Sequence, residues 1–395
     1  TGNPNNPEPG TEWAGIGRSP YLYPASDNET WGADADPRFG NYEHYFPRKL
    51  EYLDHPEEWA FDPSNKTLYL YASDNYTPTS NNVRVRVRDR FMHFRHAHNF
   101  ELKNFHFFAG SINIDGGWYW TIEDSKFSFS HYYGGPKLRL NQSADGGYKT
   151  IRNTIFEFIV DGPPFRMYGK YVTFENILSR YNDWYDDSAN YLILSGDTTG
   201  KRLSPDFKRY DSHWRYVTFE NSYSAGIFPG AGSLVEYARF ENLYEGCDCS
   251  GIQRNAAGAR YSTTRFTWIL NAPGLNGMRF DSKCGARFGD VHNVISAGNR
   301  RGFRLKGDFH DVYHVNAYHN RRQDITLNVD QYCGPDIAGG REKAEPGNWN
   351  SNIHNVLVGG SFQCFSEDCW AEGTDPMTNK TGVFNPSFDF PHLDS

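Results

Sequence analysis

Two carboxyl residues, Asp206 and Glu236, stand on either side of His213 in the middle of this chain. Hydrolysis of a glycosidic bond needs two carboxyl groups, one protonated and one that attacks or activates water. Asp206 and Glu236 meet that need, with His213 and Arg279 placed to stabilise charge. Asp187, in Asp183-Trp-Tyr-Asp-Asp187, and Asp281 are the leading substitutes for either carboxyl. A second set is basic: Arg139, Arg166, Arg279, Arg304 and Lys306. Guanidinium forks of this kind bind carboxylates or sulfates in pairs of parallel hydrogen bonds. Tyr210 and His213, with Arg304 and Lys306, also leave β-elimination open, in which a base removes a proton beside a uronate. The chemistry requires no cofactor, although the acidic run at 183–187 can hold Ca²⁺.

The residues that must position these groups repeat. An alternating phrase appears at Ile112, Leu138, Phe165, Leu192, Ile227, Ile252, Met278, Phe303 and Ile325, at steps of 26, 27, 27, 35, 25, 26, 25 and 22 residues. A recurrence of this length marks a solenoid whose units bury their apolar sides only by stacking. Period-two alternation makes the units strands. The expected fold is all-β, a single-stranded right-handed parallel β-helix; an evenly spaced β-sandwich is the alternative.

If the apolar positions of each phrase point inward, the second and fourth point outward. The second then reads Asn113, Arg139, Arg166, Ile193, Phe228, Gln253, Arg279, Arg304, Thr326. The fourth includes Asp115, Tyr168, Asp281 and Lys306. Strands about 4.8 Å apart turn these rows into one continuous exterior stripe. Arg beside Arg at that spacing repels unless anions intervene, so the stripe is expected to bind an anionic polymer. Trp118, Trp120, Tyr168 and Phe228 can stack on sugar faces.

A second series lies between the phrases and includes Tyr171–Asn176 and Tyr216–Asn221, both Tyr-Val-Thr-Phe-Glu-Asn, and Tyr237–Asn242. Identical motifs are expected at the same place in successive coils. Their Asn residues suit turns, where Asn tolerates left-handed geometry and bonds to its counterparts above and below. On this alignment Glu236 takes a place that is basic before Tyr171 and Tyr216 (Lys170 and Arg215). The widest step holds the insertion 196–214, which is expected to bring Asp206, Tyr210 and His213 beside the stripe.

The expected organisation is a loose lead-in at 1–12, an N-terminal capping segment at 13–80, the catalytic β-helix at 81–362 and a C-terminal cap at 363–395. Glu58–Tyr71 reads as a strand, a Pro-Ser-Asn turn and a returning strand. A net charge of −8 works against nucleic acid as a partner. No run of 18 apolar residues exists to span a membrane. Six cysteines allow up to three disulfides, so a secreted, extracellular or periplasmic protein is expected, and, without the long apolar outer stripes that trimeric fibres need, a monomer.

The lead-in Glu58-Trp-x-x-Asp…Leu-Tyr-Leu70 and the Phe-Glu-Asn coils at Phe174, Phe219 and Phe240 resemble right-handed parallel β-helix carbohydrate-active enzymes. Within that group the chain is most similar to endo-acting fucanases, a resemblance that implies hydrolysis of a sulfated fucan. Arg304-Leu-Lys306 resembles the Arg-Ile-Lys element of polygalacturonases, but no Gly-His-Gly precedes it. The expected activity is endo-hydrolysis of an anionic polysaccharide. A polysaccharide lyase and a non-catalytic glycan-binding β-helix are the alternatives.

Overall fold

The computed structural model describes residues 50, 59–62, 64–72, 77, 79, 90–130, 139–140, 147–159, 166–167, 170–182, 191–195, 212–222, 225–244, 249–255, 260–281, 286–307, 309–328, 351–359, 362–364, 373–374 and 381–382. The chain divides into two compact units, Thr1–Val87 and Arg88–Ser395. In the first, Trp59–Asp62 pairs antiparallel with Thr67–Leu70. The Asp62 carboxylate closes their turn by accepting from the backbone N–H and hydroxyl of Ser64 at 2.8 and 2.6 Å. This is the expected strand, turn and returning strand.

The second unit is a parallel β-helix. A twelve-stranded sheet runs its length, and the other side of the coils forms a four-stranded sheet followed by a seven-stranded one. Pairing within all three is parallel, each strand beside its counterpart one coil on. The described residues contain no helix long and apolar enough to cross a membrane.

Long-sheet strands such as Lys170–Arg180 and Ser212–Ser222 bend at single residues with positive φ, spaced five apart. Tyr171, Asn176 and Tyr181 have φ of 55°, 52° and 54°. A non-glycine residue in this region carries about 1–2 kcal/mol of strain, which Asn tolerates best. The corners offset it by stacking on themselves. Asn176 Nδ2 donates to Asn153 Oδ1 at 2.9 Å, and Asn153 Nδ2 to Asp124 Oδ1 at 2.9 Å. Elsewhere aromatic rings stack at the corners: Tyr216 on Tyr237 and Tyr237 on Phe266, both at 5.2 Å.

This five-residue rhythm corrects one expectation. Tyr171–Asn176 and Tyr216–Asn221 do not share a place in their coils. Glu175 pairs with Arg215, which sets Tyr216 beside Asn176 and Asn221 beside Tyr181. The motif encodes one side between two left-handed corners, and successive sides make the same demand. Tyr216–Asn221 and Tyr237–Asn242 do align. The Leu192 phrase also slips by one residue, because Ile193 pairs with Ile227.

The interior is as the alternation requires. Ile112, Ile114, Ile227, Ile252, Met278, Phe280, Phe303 and Leu305 are fully buried, and interior rings stack as Phe107–Phe127–Phe156 at 4.7 and 5.1 Å. Two inward positions, Lys149 and Arg254, carry cations instead. Arg254 is wholly buried, with its guanidinium donating to Ser233 Oγ, Thr263 O and Thr264 Oγ1, and burial pulls it down to about 9. Entry to the short strands is set by close backbone approach. A Cβ at Gly226 would lie 1.7 Å from the Gly251 carbonyl oxygen, and one at Gly302 would lie 2.2 Å from that of Asp324.

Candidate active site

Connections of unequal length lie in sequence beside the short strands: 181–190 and 196–211 flank Tyr191–Ser195, 256–262 follow Ser250–Asn255 and 282–289 follow Asn276–Asp281. The long-sheet corners keep their five-residue spacing. Where coils vary in length, functional loops gather, which directs attention to the face of the short strands.

There the strands Ser250–Asn255, Asn276–Asp281 and Arg301–Lys306 bring five chemically capable residues together. Gln253 pairs in register with Arg279, and Arg279 with Arg304. Arg279 Nη2 lies 2.7 Å from Asp281 Oδ1, and Lys306 Nζ donates to the same oxygen at 3.0 Å. Gln253 Nε2 donates to the other oxygen, Oδ2, at 3.2 Å. Burial alone would raise the Asp281 carboxyl; the charge of Arg279 and the hydrogen bond and charge of Lys306 outweigh it and hold it below the ordinary carboxylate range. Asp281 is therefore ionised at neutral pH, able to accept a proton or attack but unsuited to give one.

The sequence placed Arg279, Asp281, Arg304 and Lys306 on one stripe, and the structure brings these four together. It also alters the stripe. The row is divided between two sheets, with Arg139 pairing with Arg166 in the four-stranded one and Arg279 with Arg304 in the seven-stranded one. The row is not an open trough, since Asn113, Gln253, Arg279 and Thr326 are all buried. Trp120 and Phe228, expected as sugar platforms, are buried too, whereas Trp118 is exposed. Gln253 bonds to Asp281 on the next coil, whereas Asn113 and Arg279 meet Asp115 and Asp281 on their own strands.

Glu236 and His213 also meet, on the long sheet. His213 Nε2 is 2.9 Å from Glu236 Oε1, and Arg265 donates to Oε2 from Nε and Nη2 at 2.9 and 2.7 Å. Burial again acts to raise this carboxyl, and the bonds from Arg265 and His213 bring it below its ordinary value. Its column corrects the reasoning that singled it out. In register the column reads Lys103, Glu123, Arg152, Glu175, Arg215, Glu236, Arg265, alternating in sign along seven coils. Lys170 belongs to another column, opposite Gly147. Ion pairs join Arg152 to Glu123 at 2.7 Å and Arg215 to Glu175 at 3.1 Å. Glu236 thus occupies one rung of a cross-strand charge ladder, a common way to stabilise a sheet face.

Beyond Arg265 the column turns aromatic. His292, Tyr313 and His354 stack at 4.9 and 5.3 Å. Beside them Asp290 pairs in register with Asp311, and burial and the Asp311 charge raise the Asp290 carboxyl above its ordinary value. Sequence reasoning missed Arg265, Asp290 and the role of Gln253. Arg265 follows none of the repeated motifs. Gln253 was visible in the outward row, but a neutral amide among arginines drew no attention.

Asp187, Asp206 and Tyr210 lie outside the described residues, as do the side chains of Arg139 and Arg166 and the acidic run offered for Ca²⁺. Among the described residues, no group of three or more His, Cys, Asp or Glu side chains is placed to hold a metal ion.

No family model matches the chain, and no curated protein matches it. Among solved structures the chain is similar to a catalytic domain of a GH87 alpha-1,3-glucanase in complex with nigerose. The two are 11% identical with a TM-score of 0.30, over 75% of this chain and 64% of that one. The chain thus spans a little under two thirds of that domain, and no residue role is transferred from it.

Proposed function

We propose that this protein is a secreted, endo-acting glycoside hydrolase that cuts an anionic, fucan-like sulfated polysaccharide on the short-strand face. One observation carries the reading. Arg279, Asp281, Arg304 and Lys306 converge within two adjacent coils, over Gln253 of a third, in a chain whose net charge is −8. Concentrated guanidinium and ammonium groups favour sulfate or carboxylate on a substrate. An ionised carboxylate among them supplies the base or nucleophile of glycoside hydrolysis. Asp187 and Asp206 are the candidates from the sequence for the protonated partner. Six cysteines, enough for up to three disulfides, fit an oxidising compartment.

The test is incubation with sulfated fucan, carrageenan, alginate and pectin, followed by size-exclusion chromatography and a reducing-end assay. The expected result is shortened sulfated fucan with new reducing ends and no ultraviolet absorbance from unsaturated uronate. Absorbance rising with chain shortening would move the protein to the lyases, and binding of polymer without shortening would make it a lectin-like β-helix.

A further inference from the structure

The two ionised carboxylates differ in how their oxygens are used. Both oxygens of Glu236 are taken by cationic or imidazole donors, His213 on Oε1 and Arg265 twice on Oε2. Asp281 is asymmetric. Arg279 and Lys306 both converge on Oδ1, while among the described residues Oδ2 accepts only the Gln253 amide, at 3.2 Å. A carboxylate oxygen has room for about two hydrogen bonds, so Oδ2, like Glu236 Oε1, has room for a second donor beside its one described partner, but at Oδ2 that partner is a neutral amide. Asp281 also retains 24% of its side-chain exposure against 7% for Glu236.

The Gln253 amide is itself held. Ser250 Oγ donates to Gln253 Oε1 at 2.6 Å, and the acceptor-only carboxylate of Asp281 requires the Nε2 end of the amide to face it. Gln253 is almost wholly buried, so it is not a side chain that solvent would orient. A neutral donor at Oδ2 leaves that oxygen more basic than a cation would. The two cations at Oδ1 keep the group ionised.

Resting on the hydrolase reading above, we infer that Asp281 Oδ2 is the reacting oxygen and that Gln253, set by Ser250, is its positioning residue. As general base, Oδ2 takes a proton from water while the water oxygen bonds to the anomeric carbon. The bond from that carbon to the glycosidic oxygen breaks, and the leaving oxygen takes a proton from a second, protonated carboxyl group. Asp281 ends protonated and the acid ionised, and exchange with solvent restores both.

The experiment compares wild type with Gln253→Leu, Gln253→Glu and Ser250→Ala on whichever of the four polymers wild type shortens, over pH 4 to 9. Gln253→Leu removes the donor that favours ionised Asp281, and the isosteric Gln253→Glu sets a second carboxylate against it. Both raise the Asp281 pKa, so the acid limb of the kcat profile moves up, by about one pH unit for Gln253→Glu. For Gln253→Leu, kcat falls about tenfold with KM little changed, the equivalent of one hydrogen bond. Ser250→Ala gives the same change in smaller measure. Folded variants whose acid limb and kcat match wild type would overturn the inference while leaving the hydrolase reading intact. A wild type that shortens no polymer overturns both.

Discussion

The long sheet and the seven-stranded sheet are wound from the same coils, yet they use charge in opposite ways. In the long-sheet column from Lys103 to Arg265, unlike charges alternate coil by coil, and carboxylates meet cations directly across the strand gap, as Glu123 meets Arg152. On the short-strand face Arg279, Arg304 and Lys306 gather around one carboxylate, Asp281. Alternation satisfies a surface; accumulation prepares it for something else. The corners differ likewise, since the left-handed positions of the long sheet recur every five residues, whereas segments of unequal length adjoin the short strands.

This contrast can be attacked from the ladder side first. Glu236→Gln strips the ion pair from Arg265 and should lower unfolding stability by about 2 kcal/mol, the worth of hydrogen bonds to a charged group, as read from urea denaturation. It should leave kcat on the cleaved polymer within about twofold of wild type, an order-of-magnitude bound on uncoupled sites. A folded Glu236→Gln variant that no longer turns over would return the reacting carboxylate to the long sheet, paired with Asp206.

A corner residue comes next. Asn176→Ala keeps the left-handed geometry without the side chain that bonds to Asn153, and should cost about 1 kcal/mol. A change within error would show that stacking, not the Asn ladder, holds the corners. Arg254→Met tests the interior. The guanidinium is buried with hydroxyl and carbonyl partners but no carboxylate among the described residues, so an apolar side chain of similar length should be neutral or stabilising by up to about 1 kcal/mol. Strong destabilisation would mean that its hydrogen bonds outweigh the desolvation.

The smallest effect is pH-dependent. The Asp290 carboxyl is raised in the folded state, so it contributes nothing where both states are protonated, begins to cost stability as pH rises past the ordinary carboxylate value, and costs most above its folded pKa. Asp290→Asn should therefore stabilise the protein at neutral pH, with the gain shrinking to nothing as pH falls below the ordinary carboxylate value of about 4. Asp281 and Glu236 have the opposite sign: their depressed values add stability above about pH 4 that is lost as pH falls through them. Thermal melts of wild type and Asp290→Asn across pH 3 to 8 separate these contributions.

The solenoid was legible because inward positions must be apolar in every coil, which leaves Ile252, Met278, Phe303 and Ile325 as a readable column. The cluster at Asp281 was legible for the same reason: once the column is right, Arg279, Arg304 and Lys306 follow by register. Coil position on the long sheet was not. Every side there ends at a left-handed corner, so Tyr-Val-Thr-Phe-Glu-Asn fits equally well at two successive sides, and Glu236 was aligned with Lys170 in error. Whether an outward row stays open to solvent was not legible either, because a buried Gln253 and a solvated one are the same letter.

The most direct trial of the account sets Asp281→Asn beside Glu236→Gln, both confirmed folded by thermal melting, on the polymer that wild type shortens. The expected result is a loss in kcat of about 10²-fold or more for Asp281→Asn, the usual scale for a missing base, with Glu236→Gln near wild type. Near-normal turnover by Asp281→Asn with loss in Glu236→Gln would place the chemistry on the long sheet and contradict the account.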